Sequence, residues 1–219
     1  MRNIFLLIII LCIPASACTK SPAFVVEGKV PDRNFEGSKV YLVALDAPVT
    51  KNVDSALVMD GAFKFKVPAD SFDVRILRIP ARFPAMIEDL VVVCEPGTVT
   101  VILDSVSSGG GTRLNNLLQQ WKETKHFNDS LQREAGRQLR SAAGNQTMTD
   151  SLRLFSQQLG RSMLSESISL MNANLFNGVG LLIYKVYVDA FPSDVTDYVT
   201  KMTGRLYLEK DAQLRARFE

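Results

Sequence analysis

A chain of 219 residues, 47% apolar and 22% charged, is long enough for two small domains and apolar enough to bury a core. A formal net charge of +2 leaves no basic surplus, so neither nucleic acid nor an anionic lipid surface is expected as a partner held by charge. In chain order, Arg2 and the unbroken apolar run from Ile4 to Ile13 precede Pro14 and the small residues Ala15, Ser16 and Ala17. A positive start, a run shorter than the roughly 20 residues of a spanning helix, and a small-residue cleavage site read as a signal peptide over residues 1–17.

Ala15-Ser16-Ala17-Cys18 resembles the lipobox of bacterial lipoproteins, whose cysteine is acylated and becomes the first residue after cleavage. The resemblance implies lipidation at Cys18, a polar tether over residues 18–22, and an anchored, periplasm-facing protein of the cell envelope, in the outer membrane. Ala15 stands where the lipobox usually carries Leu. The competing reading is plain cleavage after Ala17, which leaves a free N-terminal cysteine. Cys12 departs with the leader, so a lipidated chain keeps one thiol, Cys94. It can form no internal disulfide and has no C-x-x-C for redox work. Cys94 ends the run Leu90-Val91-Val92-Val93-Cys94 and is expected to be a buried, unreactive thiol.

Residues 23–104 read as closely spaced strands: 24–30, 40–45, 74–79, 87–94 and 99–103, plus a hairpin at Asp60-Gly61. Asp-Gly suits a two-residue turn with positive φ at both positions. Phe63, Phe65 and Val67 then alternate with Lys64 and Lys66, and Val58 and Ala56 are expected opposite Phe63 and Phe65. Glu95-Pro96-Gly97-Thr98 reads as a type II turn. This pattern predicts an antiparallel β-sandwich or a partly closed barrel.

The Ser/Gly stretch 105–111 reads as a hinge, and from 112 the period becomes helical. Thr112 is a candidate N-cap ahead of Leu114, Leu117, Leu118 and Trp121. Further helices are expected at 129–143, 152–171, 179–188, after Pro192, and at 206–218. The fold class is therefore α+β, a β-rich domain followed by a helical one over 112–219.

Few side chains nominate chemistry. His126 is the single histidine, with neither a metal-ligating companion nor a nucleophile beside it in sequence. Gly109-Gly110-Gly111-Thr112 lacks the Gly-Lys-Ser/Thr of a phosphate loop. Glu88-Asp89 and the pair Arg75 and Arg78 should each split between opposite strand faces. No catalytic residue, cofactor or metal is assigned. Asp-Ser followed by an aliphatic residue occurs at Ser55, Ser105, Ser130 and Ser151. It resembles an O-glycosylation sequon of some exported proteins, while Asp and Ser are also common at turns and helix starts.

Val26-Glu27-Gly28-Lys29-Val30, Val40-Tyr41-Leu42, Asp54-Ser55-Ala56 and Asp60-Gly61-Ala62-Phe63-Lys64-Phe65 resemble the N-terminal domain of unknown function of envelope thiol:disulfide interchange lipoproteins. Gly111 to Asn116 and Asn174 to Leu182 echo the helical connector of those proteins. There a C-x-x-C thioredoxin-like domain follows; nothing in this sequence matches it, so the redox activity is not carried over. The expectation is a non-enzymatic, lipid-anchored binding or accessory module for an envelope protein partner. The alternatives are an accessory or regulatory partner of a separate thioredoxin-like oxidoreductase, and a small-ligand binding protein or enzyme using a pocket between the modules.

Overall fold

The computed structural model describes residues 22–45 and 53–218. The signal peptide, Cys18 and the tether before Pro22 lie outside the described residues. Eight strands run β1 (Ala23–Lys29), β2 (Lys39–Ala44), β3 (Asp54–Leu57), β4 (Ala62–Pro68), β5 (Val74–Arg78), β6 (Leu90–Val93), β7 (Gly97–Ile102) and β8 (Ser108–Gly110). They form two four-stranded sheets, the first in order β4-β1-β7-β8 and the second β3-β2-β5-β6. All neighbours are antiparallel except β1 and β7. The sheets do not close into a barrel. They share one core, with Phe24, Val26, Phe65 and Val99 of the first sheet meeting Val40, Leu42, Leu77 and Val92 of the second.

The Asp60-Gly61 turn forms as expected, with φ of 53° and 69° and two backbone bonds of 2.9 and 3.0 Å between Met59 and Ala62. Phe63, Phe65 and Val67 are buried and their lysine neighbours exposed. The expected pairing of Ala56 with Phe65 fails, because β3 and β4 enter different sheets. Ala56 pairs with Val40, and the Val58 N–H donates to the Ser38 carbonyl at 2.9 Å. The turn is thus a corner between sheets. Glu36 holds it, accepting from the Asp60 and Gly61 N–H groups at 2.8 and 3.0 Å. Phe35, beside Glu36, is fully buried in a short 3-10 segment (Arg33–Phe35).

Six helices follow: α1 (Arg113–Ser141), α2 (Gln146–Asn172), α3 (Gly178–Tyr187), α4 (Ser193–Thr203), α5 (Leu206–Lys210) and α6 (Ala212–Phe218). Strand alternation gives the second sheet two apolar faces. Leu90 and Val92 enter the sandwich core, while Val74, Val91 and Val93 meet Leu114, Leu118, Val179 and Leu182. The order of layers is sheet, sheet, helices. The 29-residue α1 is continuous where two helices were expected, and spans about 43 Å. It pairs antiparallel with α2, through Trp121 to Ser167 (3.3 Å) at one level and Gln132 to the Ser156 carbonyl (2.8 Å) at another. The stretch 206–218 is broken at Asp211, whose carboxylate accepts the Leu214 N–H and an ion pair from Lys185, both at 2.8 Å.

The Ser/Gly stretch is not a free hinge. Gly109 lies opposite Val101 in the first sheet, and a Cβ there would stand 2.9 Å from Val101 Cγ1 and 3.1 Å from Leu90 Cδ2. Glycine is required by close approach of the two sheets at this corner. The Glu95–Thr98 connection carries β6 of the second sheet into β7 of the first. Gly97 has positive φ there (130°), but β7 already begins at this residue.

Candidate functional site

Helix α1 is fastened to the sheet edges by polar side chains along one stripe. Thr112 occupies the N-cap position, yet its side chain caps nothing and instead accepts from Asn115 Nδ2 at 2.9 Å. The cap comes from across the structure: the buried Glu95 carboxylate accepts the N–H groups of Leu114 (2.5 Å) and Asn115 (3.1 Å). A carboxylate at this end also suits the helix dipole. One residue on, the Asn115 carboxamide accepts from the Val93 N–H at 2.9 Å and donates to the Val93 carbonyl at 2.8 Å. Gln119, a turn later, accepts the Gly109 N–H at 3.1 Å.

Beyond Gln119 the stripe ends in a charged cluster. Glu88 Oε2 accepts from Lys122 Nζ at 2.6 Å and from the Ser107 N–H at 3.0 Å. His126 Nε2 lies 3.4 Å from Glu88 Oε1, with the imidazole half exposed. Asp89, next in sequence, pairs with Arg78 at 2.6 Å. The two acids take different cations but do not split between strand faces, because both precede β6 and both line the same cavity. Arg75 and Arg78 do part, Arg75 being held by Asp73 (2.7 Å) and Asp54 (3.1 Å).

Between this cluster, β6 and α3 opens a slot of about 350 Å³, walled by Leu118, Trp121, Leu182 and Val186. Such volumes and mixed linings are typical of small-ligand sites. The hydroxyl nearest the cluster is not presented as a nucleophile: Ser107 is fully buried, and its Oγ donates to the Glu88 carbonyl at 2.5 Å. A second, more open cleft of about 500 Å³ lies between Phe72, Leu181 and Lys210. Beside it the Phe72 N–H, together with the Lys210 ammonium 3.0 Å away, holds the Asp70 carboxyl below the usual carboxylate range.

The remaining sequence-nominated residues stay apart from the slot. Cys94 is fully buried, and burial, with the neighbouring Asp73 carboxylate, pushes its thiol up to about 12. Ser55 is exposed on β3, Ser105 in the β7–β8 turn, Ser130 on α1 and Ser151 on α2. No cluster of three or more His, Cys, Asp or Glu suited to a metal ion occurs among the described residues, nor is any helix there long and apolar enough to cross a membrane. Sequence reasoning missed the joining of Glu88, Lys122 and His126. Its one legible trace was the spacing of Asn115, Gln119, Lys122 and His126, which places four polar residues on one helical face.

These features define an α+β protein in which a two-sheet domain and a helical layer share an apolar slot with a polar mouth. Residues 24–118 match the family described as a domain of unknown function, DUF4369. The match spans both sheets and the start of α1, so it includes Glu95, Asn115 and Leu118 as well as the strand edges they hold. No curated protein matches the chain.

Proposed function

We propose that this is a non-catalytic binding protein of the cell envelope, anchored in the outer membrane by acylated Cys18, facing the periplasm, and holding its ligand in the slot beside β6. The slot carries the binding reading: it joins apolar walls to a polar mouth in which Glu88 and Lys122 already pair. The hydroxyl nearest the cluster, Ser107, is buried with its Oγ donating to the Glu88 carbonyl, which supports binding over nucleophilic catalysis by that residue. The anchor reading is supported by the small residues before Cys18 and the signal-like run ahead of them.

A photo-crosslinking residue at Val186, half exposed on the slot rim, tests the site in intact envelopes. The same residue at Leu154, exposed on α2, is the control. One defined adduct from Val186 and none from Leu154 is expected; equal capture from both, or none from Val186, overturns the assignment. Mass analysis of the mature N-terminus tests the anchor, and an unmodified Cys18 ends that part.

A further inference from the structure

We infer that the second half of α1 carries an anion site, in which Arg133, Arg137 and Arg140 bind a phosphoryl group. The site lies apart from the slot and goes beyond the binding reading above.

The balanced net charge is made of unequal parts. Between Phe127 and Met163 every cation is an arginine (Arg133, Arg137, Arg140, Arg153 and Arg161), against the acids Asp129, Glu134 and Asp150. Arg133, Arg137 and Arg140 recur at steps of four and three residues, which puts them on one face of α1. All three are exposed. They surround a concavity of about 740 Å³ whose remaining lining is Ser130, Gln132 and Gly136. Gly136 keeps it open: a Cβ there would stand 4.0 Å from an Arg140 guanidinium nitrogen, so that guanidinium lies back over the glycine.

The acids nearby leave this face under-neutralised. Asp129 is taken by Lys125 at 2.5 Å, and Asp150 by Gln146 at 2.9 Å and Arg153 at 3.9 Å. Glu134 pairs with Arg137 and also accepts from Gln138 at 2.9 Å. Arg133 and Arg140 make no ion pair or side-chain hydrogen bond with another described residue. Arg140 suits the C-terminal end of the α1 dipole, a role that Arg133, two turns earlier, does not share. Like charges a turn apart repel, and a bound anion relieves them. The floor beneath is held in place, since Ala135 is buried and Gln132 donates to the Ser156 carbonyl of α2 at 2.8 Å.

The choice of arginine narrows the ligand. Its planar fork matches paired oxygens, whereas lysine is a point charge that serves any anion, and this segment has no lysine. A phosphoryl group offers three oxygens and up to about two charges, enough for two free guanidiniums and a third shared with Glu134. A carboxylate offers two oxygens and one charge. The concavity has room for the group together with part of the molecule that carries it. A soluble phosphorylated molecule and a phosphorylated lipid headgroup present the same chemistry.

The mature-length protein with Cys18→Ser, which keeps the anchor out of the vesicle measurement, is titrated calorimetrically with inorganic pyrophosphate and with citrate. It is also sedimented with vesicles of phosphatidylcholine, alone or mixed with phosphatidic acid. Pyrophosphate is expected to bind more tightly than citrate. Arg133→Gln combined with Arg140→Gln should weaken it about tenfold or more without altering the circular dichroism. Lys39→Gln combined with Lys66→Gln removes the same charge from exposed strand positions and should change nothing. Sedimentation with the phosphatidic acid vesicles that needs Arg133 and Arg140 assigns the group to a lipid headgroup; pyrophosphate binding without it assigns a soluble ligand. Citrate binding as tight as pyrophosphate overturns the phosphoryl assignment. Binding that survives the arginine substitutions, or falls equally with the lysine ones, overturns the site. So does silence toward both pyrophosphate and the phosphatidic acid vesicles, and none of these results touches the slot.

Discussion

The Asn115 carboxamide meets the Val93 peptide unit as a neighbouring strand would, taking its N–H at 2.9 Å and giving to its carbonyl at 2.8 Å. A helix side chain thereby finishes the edge of the second sheet, which would otherwise present unpaired groups beneath α1. Asn115 is 3% exposed, so water cannot replace it without opening the layer. Asn115→Ala leaves a buried donor and a buried acceptor unmet and is expected to cost about 3 kcal/mol. Asn115→Asp should cost more at neutral pH, because a carboxylate would face the Val93 carbonyl and Glu95. Urea unfolding midpoints of the three proteins measure the order, and an Asp variant as stable as the parent contradicts it.

Glu95 fixes where α1 begins. It reaches the Leu114 and Asn115 N–H groups from the β6–β7 connection, so it couples the sandwich to the helical layer as well as capping the helix. Glu95→Ala is expected to lower stability by about 2 kcal/mol, the upper end for a lost cap. Glu95→Gln keeps an acceptor and loses the charge, so it should fall between. Thr112→Ala should cost less than Glu95→Ala, since the Thr112 side chain makes no cap bond. Thermal unfolding of the three variants ranks them.

Gly28 lies across from Phe63 in the β1–β4 pair, and a Cβ at Gly28 would overlap the Phe63 ring. Gly28→Ala is expected to destabilise by about 2–3 kcal/mol through overpacking. The strain belongs to one contact, so it should be partly relieved by Phe63→Leu. A double-mutant cycle checks this; a coupling energy near zero would place the cost elsewhere.

Much of the fold was legible because it is periodic. Phe63, Phe65 and Val67 announced a strand with one buried face, and Asp60-Gly61 announced its turn. The ladder that the turn starts was not legible, since local sequence cannot say that β3 and β4 belong to different sheets. The same limit hid the candidate site. Glu88 and Lys122 are 34 positions apart, and only the docking of α1 on the sheet edges joins them. The glycine at 109 misled for a related reason: a close approach and a flexible linker demand the same residue type, and only the neighbouring Val101 and Leu90 tell them apart.

Cys94 offers a test by chemistry and by pH. Its thiol is fully buried, and its pKa is pushed up to about 12 by burial. The unfolded chain has an ordinary thiol that ionises near 8.5. The raised folded value means that the native state holds its proton where the unfolded chain has released it. The associated stability is intact below the unfolded pKa and declines as pH rises from there toward the folded one. Two outcomes follow. At pH 8 a thiol-specific reagent should leave the native protein unlabelled and label Cys94 fully in denaturant. Between roughly pH 8.5 and 11, Cys94→Ala should lose less stability than the parent. Rapid labelling of the folded protein at pH 8 would mean that the thiolate is accessible and the thiol is not the inert core residue described.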